Sequence, residues 1–236
     1  MKVLRLGMIS IVIPAFNEAE NIGDLVAYLL KQGEDGLAEV IVVDGGSSDE
    51  TVRIAAQAGA HAVISPKKGR AAQMNYGASL AKGDILYFLH ADTYPPPSFV
   101  KDIERAVKEG FGFGRYRTSF DSKKWILKVN AFFTRFDLFV CYGGDQSLFM
   151  TRKLFEVLSG FTESMRIMED YEIVTRGKAK ARYKIMQKDV LVSARKYDTN
   201  TWYRVQKANY TIVQMYKKGA SQEEMVLKYK QLLDYR

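Results

Sequence analysis

Short apolar strands that run straight into polar loops, with helical segments between them, constrain this chain more than any other feature. Met8 to Ile13 is a β-branched run ended by Pro14, and Asn21 to Gln32 carries Ile22, Leu25, Val26, Leu29 and Leu30 at helical spacing. Val40 to Val43 is a continuous apolar strand of the kind covered on both faces. Asp44 to Asp49 breaks it, and Ser48 or Asp49 is expected to cap a helix reaching about Ala58. Ala62 to Ser65, a small-residue helix from Arg70 to Ala81, Ile85 to Leu89 and the loop His90 to Pro97 complete the half. Repeated strand, loop and helix predict an α/β fold, a Rossmann-like, mostly parallel sheet flanked by helices. Ligands of such sheets bind beyond the carboxyl ends of the strands. The polar residues crowd there: Asn17 and Glu18, Asp44 to Asp49, and His90 to Asp92.

The remainder reads differently. Phe111 to Phe120 alternates aromatics with arginines as a strand would, and Lys123 to Tyr142 is dense in Phe, Leu and Trp. Thr151 to Leu158 reads as a helix, Gly160-Phe161 as a break, Glu169 to Arg176 as another helix, and Val190 to Val192 as a strand. From Thr201 the chain is helical and basic, with a break at Gly219 to Ser221. No repeat or linker divides it, so the 236 residues are expected to form one domain, with a first half, 1–110, whose strand ends suit a nucleotide-sized ligand, and a second half with C-terminal helices, 111–236.

Composition narrows the chemistry. A single cysteine, Cys141, excludes an intrachain disulfide and a thiolate-rich zinc site, and two histidines, His61 and His90, exclude a multi-histidine metal cluster. The setting expected is reducing and cytoplasmic. The formal charge of +8 favours anionic partners without choosing among them, and no nucleic-acid-binding module accompanies it, so no nucleic-acid partner is expected. No run of about 18 apolar residues predicts a membrane-spanning helix, and the N-terminal apolar run reads as a buried strand rather than a leader.

Asp44, Asp92 and Glu18 each follow an apolar strand. One acid in such a place is ordinarily a cap or turn residue. Three on neighbouring strand ends can hold a divalent metal through oxygen ligands, and a metal neutralises a diphosphate.

Ser10-Ile-Val-Ile-Pro-Ala-Phe-Asn-Glu18, Val43-Asp-Gly-Gly-Ser-Ser-Asp-Glu-Thr51, Gly69-Arg-Ala-Ala-Gln-Met-Asn75 and Leu89-His-Ala-Asp-Thr93, followed by Gly160-Phe161 and Met168-Glu-Asp-Tyr171, resemble the family 2 glycosyltransferases. The resemblance runs from about Ser10 to Arg176 and implies a GT-A fold with a nucleotide-binding half, 1–110, and an acceptor-side half, 111–236. It implies further that Pro14, Ala15, Asn17, Glu18, Asp44, Ser47, Arg70 and Ala91 bind the nucleotide of a nucleoside-diphosphate sugar. It places Asp92 as ligand to a divalent metal, Mn²⁺ or Mg²⁺. The family's first metal-motif acid is a histidine here, His90, which reads as a weak second ligand, a donor to phosphate or a packed rim residue. Asp170 takes the place of the base that deprotonates the acceptor hydroxyl, with inversion at the anomeric carbon. Glu169 and, in Gly143-Gly-Asp-Gln146, Asp145 fall on the acceptor side, where the structural alternatives are a helix-start partner and a turn cap.

The function expected is therefore metal-dependent, inverting transfer of one sugar, a hexosyl transfer, to an acceptor hydroxyl or a lipid phosphate. The motif and membrane helices of processive synthases are absent from the sequence. Arg195-Lys196-Tyr197 reads either as a basic segment able to close over the diphosphate or as a solvated charge run. The stretch from Trp125 to Val140, flanked by Lys123, Lys124, Lys128 and Arg135, reads either as a core helix or as one lying in a membrane interface. The second reading implies peripheral contact with the inner face of the membrane. Two other functions keep the same sheet: a catalytically silent binding protein at a membrane surface, and a sugar nucleotidyltransferase. The glycine-rich, basic loop that the nucleotidyltransferases carry after the first strand is missing from Pro14 to Glu18.

Overall fold

A computed structural model describes residues 7–33, 36–143 and 147–234. The first half follows the expected alternation: β1 (Ile9–Ala15), α1 (Ile22–Gly33), β2 (Leu37–Asp44), α2 (Thr51–Gln57), β3 (His61–Ile64), α3 (Arg70–Leu80) and β4 (Ile85–Phe88). These strands pair in parallel in the order β3, β2, β1, β4, and they end at the loops that hold the acidic residues. Their continuous apolar character has the expected cause. Ile9, Ile11, Ile13, Val40 and Val42 pack into one core layer, and Val12, Ile41, Val43, Leu86 and Phe88 into the layer on the opposite face. The cap of α2 differs from expectation. Glu50 stands at the N-cap without a side-chain cap bond, because Asp49 turns back to accept from the Thr51 backbone N–H and from the Ala19 backbone N–H across the loop.

Beyond β4 come β5 (Thr93–Tyr94), α4 (Phe99–Lys108), β6 (Phe113–Asp121), α5 (Trp125–Phe133), β7 (Leu148–Thr151), α6 (Arg152–Val157), α7 (Glu169–Lys178) and β8 (Tyr183–Ser193). The chain closes with α8 (Lys196–Thr199), α9 (Trp202–Lys217) and α10 (Gln222–Leu232). The sheet continues as β7, β6, β8 and β5. β7 runs antiparallel to both β4 and β6, β8 is parallel to β6, and β5 is antiparallel to β8. The last pairing matters for the site. It sets Val192 opposite Thr93, and the Ser193 N–H donates to the Asp92 carbonyl at 3.2 Å, so the segment after β8 begins against the Asp92 loop.

Helix α5 departs from the core-helix reading. Leu127 is its buried residue, whereas Trp125, Val129, Phe132 and Phe133 are exposed, as are Phe136, Leu138 and Val140 just beyond it.

Candidate active site

The loop after β1 and the loop after β2 are stitched together. Asn17 takes a left-handed backbone (φ 53°), which aims its N–H at Ser47 Oγ (2.8 Å) while its side-chain oxygen accepts from the Ser48 N–H (2.9 Å). The Glu18 N–H donates to Thr51 Oγ1 at 2.9 Å. Asp44 is buried and accepts the Gly46 and Ser47 N–H groups at 2.8 Å each, together with the Ser47 hydroxyl. Its carboxylate thus shapes the loop that follows β2. Pro14 and Ala15 end β1, and the Ala15 carbonyl receives the Gly45 N–H at 2.8 Å.

Two side chains on α3 that were not among the expected site residues brace the neighbouring backbone. Gln73, buried on α3, donates to the carbonyls of Ala15 (2.9 Å) and Val43 (2.8 Å), tying the ends of β1 and β2 to that helix. Asn75 donates to the Phe161 carbonyl at 2.8 Å and accepts the Phe161 N–H at 2.9 Å. Gly160 has φ +69°, and a Cβ there would meet Asn75 Oδ1 at 2.6 Å, so the turn needs glycine on both counts. Both clamps lie in the Gln-Met-Asn run after Arg70, whose place in the resemblance was the available signal.

The same turn positions α7. Arg176 donates to the Leu158 and Gly160 carbonyls and pairs with Glu172, which fixes the helix against the Gly160-Phe161 turn. Met168, in the left-handed region at φ 69°, reverses the chain into α7, whose first turn carries Glu169, Asp170 and Glu172. Acids there are favoured by the helix dipole. Glu169 is buried and pairs with Arg70 at 3.2 Å, and Arg70 lies 3.9 Å from Asp170 Oδ2. Arg70 therefore links the nucleotide half to the expected base. Asp170 also lines a cavity with His90, Met74, Arg115 and Tyr142, so the histidine of the altered metal motif and the expected base face one space.

Asp92 sits at the mouth of β5, with Ala91 buried beside it. The Arg195 guanidinium crosses from the end of β8 and donates to both Glu18 carboxylate oxygens (3.1 and 3.0 Å) and to Asp92 Oδ2 (3.4 Å). Burial works against its charge, yet the Glu18 and Asp92 carboxylates outweigh this and raise its pKa. Among the described residues no group of three or more His, Cys, Asp or Glu side chains is placed to hold a metal by itself. Two rim carboxylates nevertheless already share one cation. That donor set suits a hard divalent ion whose other ligands are diphosphate oxygens and water, so Asp92 and Glu18 fit the group that the resemblance implies. Asp145 lies outside the described residues.

Comparison with known proteins accords with this geometry. Residues 10–169 match the family model described as Glycosyl transferase family 2, and the chain belongs to that family. It is 34% identical over 119 residues to an uncharacterized glycosyltransferase of Mycobacterium tuberculosis, covering 46% of this chain and 45% of that one. It is 36% identical over 104 residues to the glucosyl-3-phosphoglycerate synthase of Mycolicibacterium smegmatis, covering 40% of this chain and 34% of the relative. The chain thus spans less than half the length of these curated relatives. Among solved structures it resembles glucosyl-3-phosphoglycerate synthase from Mycobacterium tuberculosis in complex with Mn²⁺, UDP-glucose and phosphoglyceric acid. The TM-score is 0.63 at 16% identity over 91% of this chain and 80% of the other. The mannosyltransferase of Pyrobaculum calidifontis in complex with GDP-Man and Mn²⁺ gives 0.63 at 20% identity over 89% and 62%. The fold is GT-A.

Proposed function

We propose that the protein transfers one sugar from a nucleoside-diphosphate sugar to an acceptor hydroxyl or lipid phosphate in the cytoplasm, with inversion at the anomeric carbon. The observation that carries this reading is the meeting of Asp170 and His90 in one cavity, two residues from the Asp92 that shares a cation with Glu18. The stitched loops after β1 and β2, with Pro14, Ala15, Asn17, Glu18, Asp44 and Ser47, form the nucleotide end of the site. Ala91 forms the floor beside Asp92.

Asp92, with Glu18 beside it, would hold a divalent ion, which would supply charge neutralisation for the departing diphosphate. The remaining work falls to the chain. With a hydroxyl acceptor, Asp170 accepts the hydroxyl proton as its oxygen attacks from the face opposite the leaving group, a role worth about 10²–10⁴-fold. Arg70 and the first turn of α7 hold that carboxylate in place. Glu169, committed to Arg70, orients the helix start. His90 donates to phosphate or acceptor from the cavity wall.

A thermal-shift panel of nucleoside diphosphates and their sugars, with and without Mn²⁺ or Mg²⁺, tests the reading. One diphosphate with metal should raise the melting temperature, since a ligand at about 100 times its Kd stabilises by about 2.7 kcal/mol. Failure of every diphosphate, with or without metal, to shift the transition overturns it.

A further inference from the structure

We infer that the outward face of α5 and the segment behind it dock on an anionic bilayer surface, with the Asp170 cavity beside the contact. Trp125, Val129, Phe132, Phe133 and Phe136 recur at helical spacing on the side opposite the buried Leu127. Trp125 is 71% exposed and Val140 59%, values at which solvent would ordinarily exclude such side chains. Phe132, Phe133 and Phe136 pack on one another, with ring centroids 5.6 to 6.4 Å apart, so they form one patch rather than scattered residues.

The charge around this patch selects the occupant. Lys123, Lys128 and Arg135 border it, Arg135 lies 4.1 Å over the Phe132 ring, and the chain carries a formal +8, while Lys124 turns to the Tyr197 carbonyl (2.6 Å) and Asp198. Aromatics that enter an acyl boundary beneath a collar of cations complement anionic headgroups, whereas a second copy of this face would set like charges against each other. Among the described residues no helix is long and apolar enough to cross a membrane, so the contact is peripheral.

The face is also wired to the site. Arg115, buried in the cavity wall with His90 and Asp170, donates to the carbonyls of Thr134 (2.7 Å) and Phe136 (3.1 Å). Tyr171, next to Asp170, reaches the Val140 carbonyl at 3.4 Å, and its ring lies 5.2 Å from that of Phe139. An acceptor embedded in the bilayer would thus arrive beside the base.

The test is sedimentation of the protein with phosphatidylglycerol-containing vesicles and with pure phosphatidylcholine vesicles, with Trp fluorescence and light scattering in parallel. It does not depend on sugar transfer. Binding is expected to the anionic vesicles, with a blue shift from Trp125 and loss at high salt. The triple variant Phe132→Ser, Phe133→Ser, Phe136→Ser should bind at least about tenfold more weakly. Lys123→Gln with Lys128→Gln should lose about fivefold per charge while melting as wild type does. Equal binding to both vesicle types, or none, overturns the inference. So does a wild-type dimer that the serine variant turns into a monomer, which would make the face a self-association surface.

A different observation carries a second inference, which rests on Asp92 being a metal ligand. We infer that Arg195 competes with the metal for the Glu18 and Asp92 carboxylates until a diphosphate draws it away. Its guanidinium uses Glu18 and Asp92 oxygens that a metal would need. It comes from the short segment after β8, where the backbone leaves the sheet. Titration of Mn²⁺ alone, followed by electron paramagnetic resonance, should show Arg195→Gln binding at least about tenfold more tightly than wild type. In the presence of metal, the same variant should bind nucleoside diphosphate more weakly. Unchanged Mn²⁺ affinity in Arg195→Gln overturns the inference. An Asp92→Asn control separates the failures, because undiminished Mn²⁺ binding there rejects the metal site itself.

Discussion

Helices α1 and α5 carry similar apolar loads and dispose of them in opposite ways. α1 buries Ile22, Leu25, Val26 and Leu29 against the parallel sheet, while α5 buries Leu127 and leaves Trp125, Val129, Phe132 and Phe133 in solvent. In the first half, α1 is covered by the sheet it packs against. The half that would receive the acceptor keeps an apolar surface that its own fold does not cover. On the function proposed above, the contrast sets a donor side braced by internal packing against an acceptor side whose apolar face is left open to a partner surface.

The largest effect that would sharpen this division lies on the donor side. Asp92→Asn keeps size and fold but removes a charge from the pair that shares Arg195. Metal-dependent binding of nucleoside diphosphate should fall by about 10² or more by calorimetry, with the melting temperature near wild type. Wild-type enzyme treated with a chelator should lose the same increment. If it binds donor as well without metal as with it, the metal role is wrong.

The packing contrast is tested by truncation. Leu25→Ala, at a fully buried position, should cost about 2–5 kcal/mol in denaturant unfolding, whereas Phe133→Ser, at a position 48% exposed, should stay within about 0.5 kcal/mol. Similar costs at the two sites would remove the distinction. Between them falls Gln73→Ala, which leaves the Ala15 and Val43 carbonyls without their donor. It should cost about 1–3 kcal/mol and weaken diphosphate binding, because both loop starts lose their anchor.

Much of the donor half was legible because its cause is local. A buried parallel strand is a short apolar run, and Val40 to Val43 can be little else once Asp44-Gly45-Gly46 ends it. β7 was not, since Leu148 to Thr151 is only four residues long and is a strand because β4 and β6 stand on either side of it. The start of β8, Tyr183 to Asp189, is interrupted by Lys184, Gln187 and Lys188 and carries no clean alternation. In the site, Glu18, Asp44, Asp92 and Asp170 could be singled out one by one. Arg195 and Arg70 could be singled out too, but not what they pair with: Arg195 reaches Glu18 across 177 positions, and no spacing rule reports a contact made by the sheet order. The pairing of Arg70 with Glu169 is likewise made by tertiary structure alone.

The smallest predicted effect concerns acid. The hydroxyl of Thr51, with the Ala19 and Thr51 N–H groups, holds the Asp49 carboxyl below its ordinary pKa. A lowered folded-state pKa stabilises above the unfolded value and is lost as pH falls through the folded one. The stitch between the loops after β1 and β2 should therefore loosen below about pH 4. Asp49→Asn should flatten that part of the stability profile slightly, and an unchanged acid limb would show that the stitch carries no pH-dependent stability.

In the proposed reaction Asp170 serves the acceptor side of the site, as the base for the incoming hydroxyl. The direct measurement is sugar transfer by Asp170→Asn alongside its affinity for nucleoside diphosphate. The substitution keeps the shape and much of the hydrogen bonding beside Arg70 while removing the basicity. Transfer should fall by about 10² or more with diphosphate affinity and melting temperature near wild type. Near-normal turnover by this variant on its acceptor would contradict the account.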